Sequence, residues 1–325
     1  MSIEEYLNPD LIKNIQDAID QTLEGLPDPT KDRIKEYVTQ TRGKMIRPSI
    51  VVNSAMLLNG VIDAAMKSAI CVELMHNMSL IHDDILDGAP LRRGKASYHR
   101  RHGVARAIND GDVLLTYALS TIKHEPTLKI LLEVSLMVGE GQILELEFRA
   151  NNDFNFTPRD AIRIMDLKTA GVFNGCLRLG FLAADRLDEI GMIGHYAQKA
   201  GIAFQIQDDI LDIIGEEKIF GKKHFWDIQE SKRSLFLAYA LQTDHRSMLE
   251  KIFNVKIGEK TEEEVECVVA AFHDVLGDVK AVKQLYLKEA TEGIRKEQER
   301  AEKEDISELC DYITTLSHYL CTRSK

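Results

Sequence analysis

Residues 73–87 read Glu73-Leu74-Met75-His76-Asn77-Met78-Ser79-Leu80-Ile81-His82-Asp83-Asp84-Ile85-Leu86-Asp87. Leu74, Met75, Met78 and Ile81 recur at the three- and four-residue spacing of a helix, and the run ends in acids. The closing pentapeptide returns unchanged as Asp208-Asp209-Ile210-Leu211-Asp212, again behind an apolar helical pattern, Ile202, Phe204 and Ile206. Working outward, Ala161-Ile162, Ile164-Met165, Leu167 and Ala170 keep the same spacing. β-type alternation is scarce, and all seven prolines lie at or before position 158. Residues 281–304, rich in Lys, Glu and Gln, predict a charged helix solvated on one face. The pattern predicts an all-α protein of ten or more helices. Gly, Pro and Asn clusters place breaks near Gly25–Thr30, Gly88–Gly94, Asn151–Pro158 and Gly215–Asp227. None of these resembles a linker, so residues 1–325 read as a single domain. No repeat of 20–50 residues is visible, which disfavours a helical solenoid.

Composition narrows the function. The 325 residues are 44% hydrophobic and 29% charged, a globular balance rather than a disordered one. A net charge of −11, from 41 Lys+Arg and 52 Asp+Glu, argues against a nucleic-acid coat. No apolar run reaches the roughly 20 residues of a membrane span. The acidic start, Met1-Ser2-Ile3-Glu4-Glu5-Tyr6, lacks the regions of a signal peptide. Cys71, Cys176, Cys267, Cys310 and Cys321 are odd in number and widely spread, which favours reduced thiols and a cytoplasmic location.

The twin pentapeptides carry the chemistry. On a helix, residues i and i+4 share a face, so Asp83 stacks on Asp87 and Asp208 on Asp212. Like charges at that spacing cost ~0.2–0.5 kcal/mol, a penalty that a bound cation reverses. Carboxylates are hard oxygen ligands suited to Mg²⁺, which takes one or two of them and fills its shell with water and phosphate. Opposed across a bundle, two such faces would hold several Mg²⁺ ions and a di- or triphosphate. Basic residues follow at once: Arg92, Arg93, Lys95, Arg100, Arg101 and Arg106 reverse the charge locally. Arginine is the preferred bidentate partner of phosphate. A second basic group is Gly43-Lys44-Met45-Ile46-Arg47-Pro48, and others are Lys168-Thr169 and the segment from Lys222 to Lys232-Arg233. Gly43-Lys44 is not a Walker A motif, because Val38 occupies the position of its first glycine.

From about Gly43 to Arg233 the chain resembles the trans-isoprenyl (polyprenyl) diphosphate synthases. Residues 73–87 with Arg92-Arg93-Gly94 look like that family's first aspartate-rich motif, and Phe204 to Asp212 like its second. Gly43-Lys44-x-x-Arg47-Pro48, Gly111-Asp112, Gly141-Gln142 and Lys168-Thr169-Ala170 fall in the family's order. The resemblance implies a large helical bundle around a deep central cavity, usually in a homodimer. It implies condensation of isopentenyl diphosphate with dimethylallyl, geranyl or farnesyl diphosphate. Isopentenyl diphosphate would be held by Lys44, Arg47, His76 and Arg93. The allylic diphosphate would be held by Arg92, Lys168, Thr169, Gln205, Lys222 and Lys232, with Lys168, Thr169, Gln205 and Lys232 also acting on catalysis. Two or three Mg²⁺ ions would sit on Asp83, Asp87 and Asp208, with Asp84 and Asp212 acting through water or a neighbour. Arg42-Gly43-Lys44 stands where the family often has Gly-Gly-Lys, and Ser231 stands for Gly in its Asp-Ile-x-Glu-Gly-Lys. The proline often found after that lysine is absent.

Three other readings compete with this one. A carboxylate-bridged di-iron bundle needs two Glu-x-x-His motifs, and only Glu73-Leu74-Met75-His76 is present. A non-catalytic regulatory or binding subunit could lose ligands freely, yet both acidic motifs are intact. A terpene cyclase would not need the second diphosphate site that Lys44, Arg47 and Arg93 provide. Product length should follow from the residues before Asp83. At 1.5 Å per residue, Ser79, Met78 and Met75 lie ~6, ~7.5 and ~12 Å from Asp83 along the axis. Ser79 leaves room and Met78 is a flexible partial plug, so a C20 product is favoured and C15 comes next.

Overall fold

Several helices of the chain start where a proline or a side-chain cap places them. The structure, a computed structural model, describes residues 3–214 and 225–322. It opens with α1 (Ile3–Tyr6), α2 (Pro9–Leu23), α3 (Thr30–Gln40), α4 (Ile46–Leu57) and α5 (Ile62–Leu86). A two-residue hairpin, β1 (Leu91–Arg92) and β2 (Lys95–Ala96), leads into α6 (Tyr98–His102), α7 (Val104–Ser120) and α8 (Glu125–Ala150). Then come α9 (Pro158–Met165), a π-helical turn at Asp166–Ala170, α10 (Gly171–Ala183) and α11 (Ile193–Ile214). The rest is α12 (Trp226–Gln229), α13 (Leu235–Ala240), α14 (Arg246–Phe253), α15 (Glu262–Asp274), α16 (Leu276–Arg300) and α17 (Glu304–Thr322). Pro9, Pro126 and Pro158 all sit in first turns, where a missing N–H costs nothing. Capping boxes at Thr157/Asp160 and Thr261/Glu264 start α9 and α15.

The all-α reading holds, and the expected breaks near Gly25, Gly88 and Asn151 fall between helices. Most of the charged stretch lies in α16, which buries Val279, Leu287, Ala290, Gly293 and Ile294 and leaves its other residues half-buried or exposed. Two features departed from the pattern. The hairpin turns through Arg93 and Gly94, both left-handed, a two-residue turn that matches strand twist. The helical run 161–170 changes pitch: the Gly171 N–H reaches back to the Asp166 carbonyl, an i−5 bond. The interior forms two apolar clusters. One gathers α2, α4, α5, α7 and α10, and the other α9, α11 and α13–α15. The cavity opens between α5, α8, α10 and α11.

Candidate active site

Helix α5 ends at the acids for a local reason. Gly88 is left-handed, its N–H meets the Ile85 carbonyl at 3.2 Å, and the Ala89 N–H meets that of Asp84 at 2.9 Å. This stop satisfies the last carbonyls and leaves Asp83 and Asp87 on the wall of a cavity of about 540 Å³. Asp83 has no side-chain hydrogen bond or ion pair among the described residues. Burial pushes its carboxyl up to about 6, against the pull of Lys168 and with a push from Asp87. A desolvated, unpartnered carboxylate beside a second acid is a donor set that fits a hard divalent cation. Asp87 accepts from Arg149 Nη1 at 3.1 Å, and its carbonyl accepts from Trp226 Nε1 at 3.2 Å. Asp84 points the other way. Fully buried, it accepts from Arg92 Nε at 2.9 Å and Nη2 at 2.5 Å. Arg92 lines the cavity with this fork already made.

Across from α5, the π turn and α11 supply the second wall. Lys168 Nζ lies 2.7 Å from Oε2 of buried Glu145 on α8. Burial lowers the ammonium's affinity for its proton, but Glu145 and Asp83 outweigh it and hold the pKa above the ordinary value. The Thr169 hydroxyl donates to Gln205 Oε1 at 2.8 Å, and Gln205 Nε2 donates to Asp209 Oδ1 at 3.1 Å. Lys232 closes the chain, 3.1 Å from Asp209 and 2.7 Å from Asp227. Burial opposes the Lys232 charge, yet Asp209, Asp227 and Asp212 hold its pKa well above normal. Gly141 lets α8 approach, since a Cβ there would sit 2.8 Å from Lys168 Cγ and Leu167 Cβ. The buried Oε1 of Gln142, on the same wall, has no partner among the described residues.

A third group lies at the start of α4. Arg47 Nη1 is 3.4 Å from His76 Nε2, and both line the cavity. Burial, with Arg47 and Arg93 nearby, holds His76 neutral, well below its usual pKa. Beneath them Glu73, 5% exposed, is pushed up to about 7 by burial, with Arg47 and Arg93 pulling the other way. Lys44 is exposed beside the Tyr319 ring at 6.0 Å, and Arg93 packs its guanidinium against Gly43, where a Cβ would meet it at 2.8 Å. Neither lines the cavity. Arg42, in place of the family's usual glycine, pairs with Asp20 on α2.

Of the predicted residues, Arg47, His76, Asp83, Asp87 and Arg92 meet Lys168, Thr169, Gln205 and Lys232 around one cavity. On the second pentapeptide it is Asp209 that lines the wall, while Asp208 and Asp212 are half-buried on the neighbouring face of α11. Lys222 lies outside the described residues. Among the described residues no three His, Cys, Asp or Glu side chains converge as a ready-made metal centre. Sequence reading missed the roles of Glu145, Asp209 and Asp227. For Glu145 and Asp209 the only signal was an acid in an apolar helix, since each stands 23 residues from its lysine partner, whereas Asp227 lies five residues before Lys232 in the Asp-Ile-x-Glu-x-Lys stretch.

The polyprenyl synthetase family profile matches residues 29–272. A short chain isoprenyl diphosphate synthase of Methanocaldococcus jannaschii is 32% identical over 265 residues, 78% of this chain and 80% of that protein. A geranylgeranyl diphosphate synthase of Methanosarcina mazei is 29% identical over 320 residues, 94% of this chain and 96% of that protein. The crystal structure of geranylgeranyl pyrophosphate synthetase from Pyrococcus horikoshii superposes with a TM-score of 0.80 at 26% identity, covering 99% of each chain. No helix among the described residues is long and apolar enough to cross a membrane. A bundle of this shape with acids and cations facing across its cavity, and relatives of this kind over nearly its whole length, place the chain in the polyprenyl synthetase family, as a trans-prenyltransferase of the short-chain isoprenyl diphosphate synthases.

Proposed function

We propose that this enzyme joins isopentenyl diphosphate to an allylic diphosphate and releases geranylgeranyl diphosphate, with one domain supplying both substrate sites. The observation that carries the reading is the desolvated Asp83 carboxylate, beside Asp87, facing the Lys168–Glu145 and Thr169–Gln205–Asp209–Lys232 arrays across one cavity. Lys168, Lys232 and Arg92 hold the allylic diphosphate. Asp83 and Asp87 on the cavity wall would hold Mg²⁺, and Asp208, which stands off that wall next to Asp209 on α11, would have to turn toward it to join them. When bound, that ion supplies positive charge that steadies the pyrophosphate as it leaves. We assign isopentenyl diphosphate to Arg47 and neutral His76 on the cavity wall, and to Lys44 and Arg93, which stand off that wall and would have to turn toward it. Thr169 and Gln205 turn oxygen atoms toward the allylic cation without a nucleophile strong enough to trap it. The departing pyrophosphate takes the proton lost on condensation.

The test is direct. Purified protein with Mg²⁺, radiolabelled isopentenyl diphosphate and each of dimethylallyl, geranyl and farnesyl diphosphate should give a C20 product, and EDTA should abolish it. Absence of any elongated product would favour the regulatory-subunit reading. A homodimer is supported by apolar side chains left exposed on α8, namely Leu132, Leu136 and Ile143. Leu136→Glu with Ile143→Glu should halve the mass measured by sedimentation, and an unchanged mass would move the interface elsewhere.

A further inference from the structure

Behind the cavity wall lies a buried lysine that the reaction does not use. Lys260, 5% exposed, ends the connection between α14 and α15. Its Nζ donates to the Ser231 hydroxyl at 2.8 Å and the Gln229 carbonyl at 3.0 Å, and lies 3.4 Å from the Val255 carbonyl. It sits 5.9 Å from the centre of the Phe253 ring. No carboxylate forms an ion pair with it among the described residues. Its backbone is clamped as well: Gln229 Nε2 donates to the Lys260 carbonyl at 2.9 Å, and the Lys260 N–H donates to Gln229 Oε1 at 3.2 Å. The Ser231 hydroxyl in turn donates to the Phe253 carbonyl at 3.3 Å.

Ser231 has a φ of +61°, a left-handed turn that a side chain disfavours. Asp227 precedes that turn and Lys232 follows it, and the turn brings them together. The Lys232 N–H meets the Asp227 carbonyl at 3.0 Å, and the side chains pair at 2.7 Å. A burial penalty on Lys260 and strain at Ser231 are thus spent on one segment, whose inner face is cavity wall and whose outer face is Lys260.

We propose that Lys260 is a positioning residue for the allylic-diphosphate side of the cavity: by gripping Gln229 and Ser231 it holds the left-handed turn that sets Lys232 and Asp227 against Asp209. The Ser231 hydroxyl does here what the absence of a side chain would do at a glycine, offsetting the strain through its bonds to Lys260 and Phe253. This rests on the reading that Lys232 faces the allylic diphosphate.

Steady-state kinetics with both substrates tests it, using Lys260→Met, Ser231→Gly, Ser231→Ala and Lys232→Ala. Lys260→Met should raise the KM for the allylic diphosphate roughly tenfold, the scale of a lost hydrogen bond to a charged group, and leave the KM for isopentenyl diphosphate within about twofold. Ser231→Ala should be worse than Ser231→Gly, because alanine keeps the strain and loses the hydroxyl while glycine removes both. Lys260→Met should also cost less in the Ser231→Gly background than alone. A purely structural lysine would lower the melting temperature and leave both KM values alone, and that result overturns the proposal. Equal changes in both KM values, or Ser231→Gly as impaired as Ser231→Ala, overturn it too. If Lys260→Met does not fold, the Ser231 pair decides. Lys232→Ala separates the two levels. If it leaves the allylic KM unchanged, the underlying assignment fails, whereas a raised allylic KM there beside unaffected Lys260 and Ser231 variants defeats this inference alone.

Discussion

Asp83 and Asp84 are adjacent and chemically identical, yet the fold gives them opposite duties. A helix rotates successive residues by about 100°, so one faces the cavity and the other the Arg92 fork. Asp84→Asn should weaken a buried ion pair in which two Arg92 nitrogens share one carboxylate oxygen, and destabilise the fold by about 3 kcal/mol or more, visible as a lower melting temperature. Asp83→Asn removes a desolvated carboxylate with no hydrogen bond or ion pair among the described residues, so its melting temperature should hold or rise while turnover falls by orders of magnitude. Equal loss of stability in both variants would refute the division. Glu73 gives a pH-dependent test. Its folded pKa is raised to about 7 from 4.5, so its contribution is full below pH 4.5 and is lost as pH rises through 7. That loss is on the order of 3 kcal/mol at most. Glu73→Gln has no such loss, and its melting temperature should gain on the wild type between pH 4.5 and 7; a constant gap would mean that Glu73 stays ionised. The sequence located these acids but not their directions. Two pentapeptides of equal composition read alike, and only packing decides that Asp209, rather than Asp208, lines the cavity.

At the scale of elements, the π turn at Asp166–Ala170 is the part the sequence hid. Apolar spacing through Ala170 is compatible with α and π pitch alike, so periodicity predicted one continuous helix. The wider turn sets Lys168 toward Glu145 and Thr169 toward Gln205 at the same time. It is braced by Gly201 of α11, where a Cβ would lie 2.7 Å from Ala170 Cα. Because that neighbour is backbone, Gly201→Ala should force the turn aside. Overpacking of this kind costs ~1–3 kcal/mol, and the displaced Thr169–Gln205 bond should lower kcat at least tenfold by comparison with a shift of 1.4 kcal/mol in the barrier. Gly277→Ala, where nothing lies within 4 Å, is the control and should leave both stability and kcat near wild type. A fully active Gly201→Ala enzyme would detach the π turn from catalysis. The breaks, by contrast, were legible, because proline in first turns and glycine at α5's end act locally.

Across the whole molecule, the sequence could name one wall of the cavity but not the wall facing it. Met75, Met78 and Ser79 precede Asp83 on α5, and all three line the cavity. Opposite them stand Leu131, Val134 and Val138 of α8, with Leu115 of α7 and Leu179 of α10. No local pattern links those positions to the acids, which lie tens of residues away in the chain. On the proposed function, an isoprenoid anchored at Asp83 would extend along α5 and meet Ser79 and Met78 first, since they stand ~6 and ~7.5 Å down the axis. Ser79 is half-buried, and its hydroxyl donates to the His76 carbonyl at 2.8 Å, so its small side chain leaves the channel clear. Ser79→Phe would fill that space and should shorten the main product from C20 to C15. Met78→Ala should remove the flexible plug and lengthen it beyond C20. Product chromatography distinguishes the outcomes. Unchanged lengths in both variants would transfer the floor to α8, and Leu131→Ala should then be the substitution that lengthens the chain.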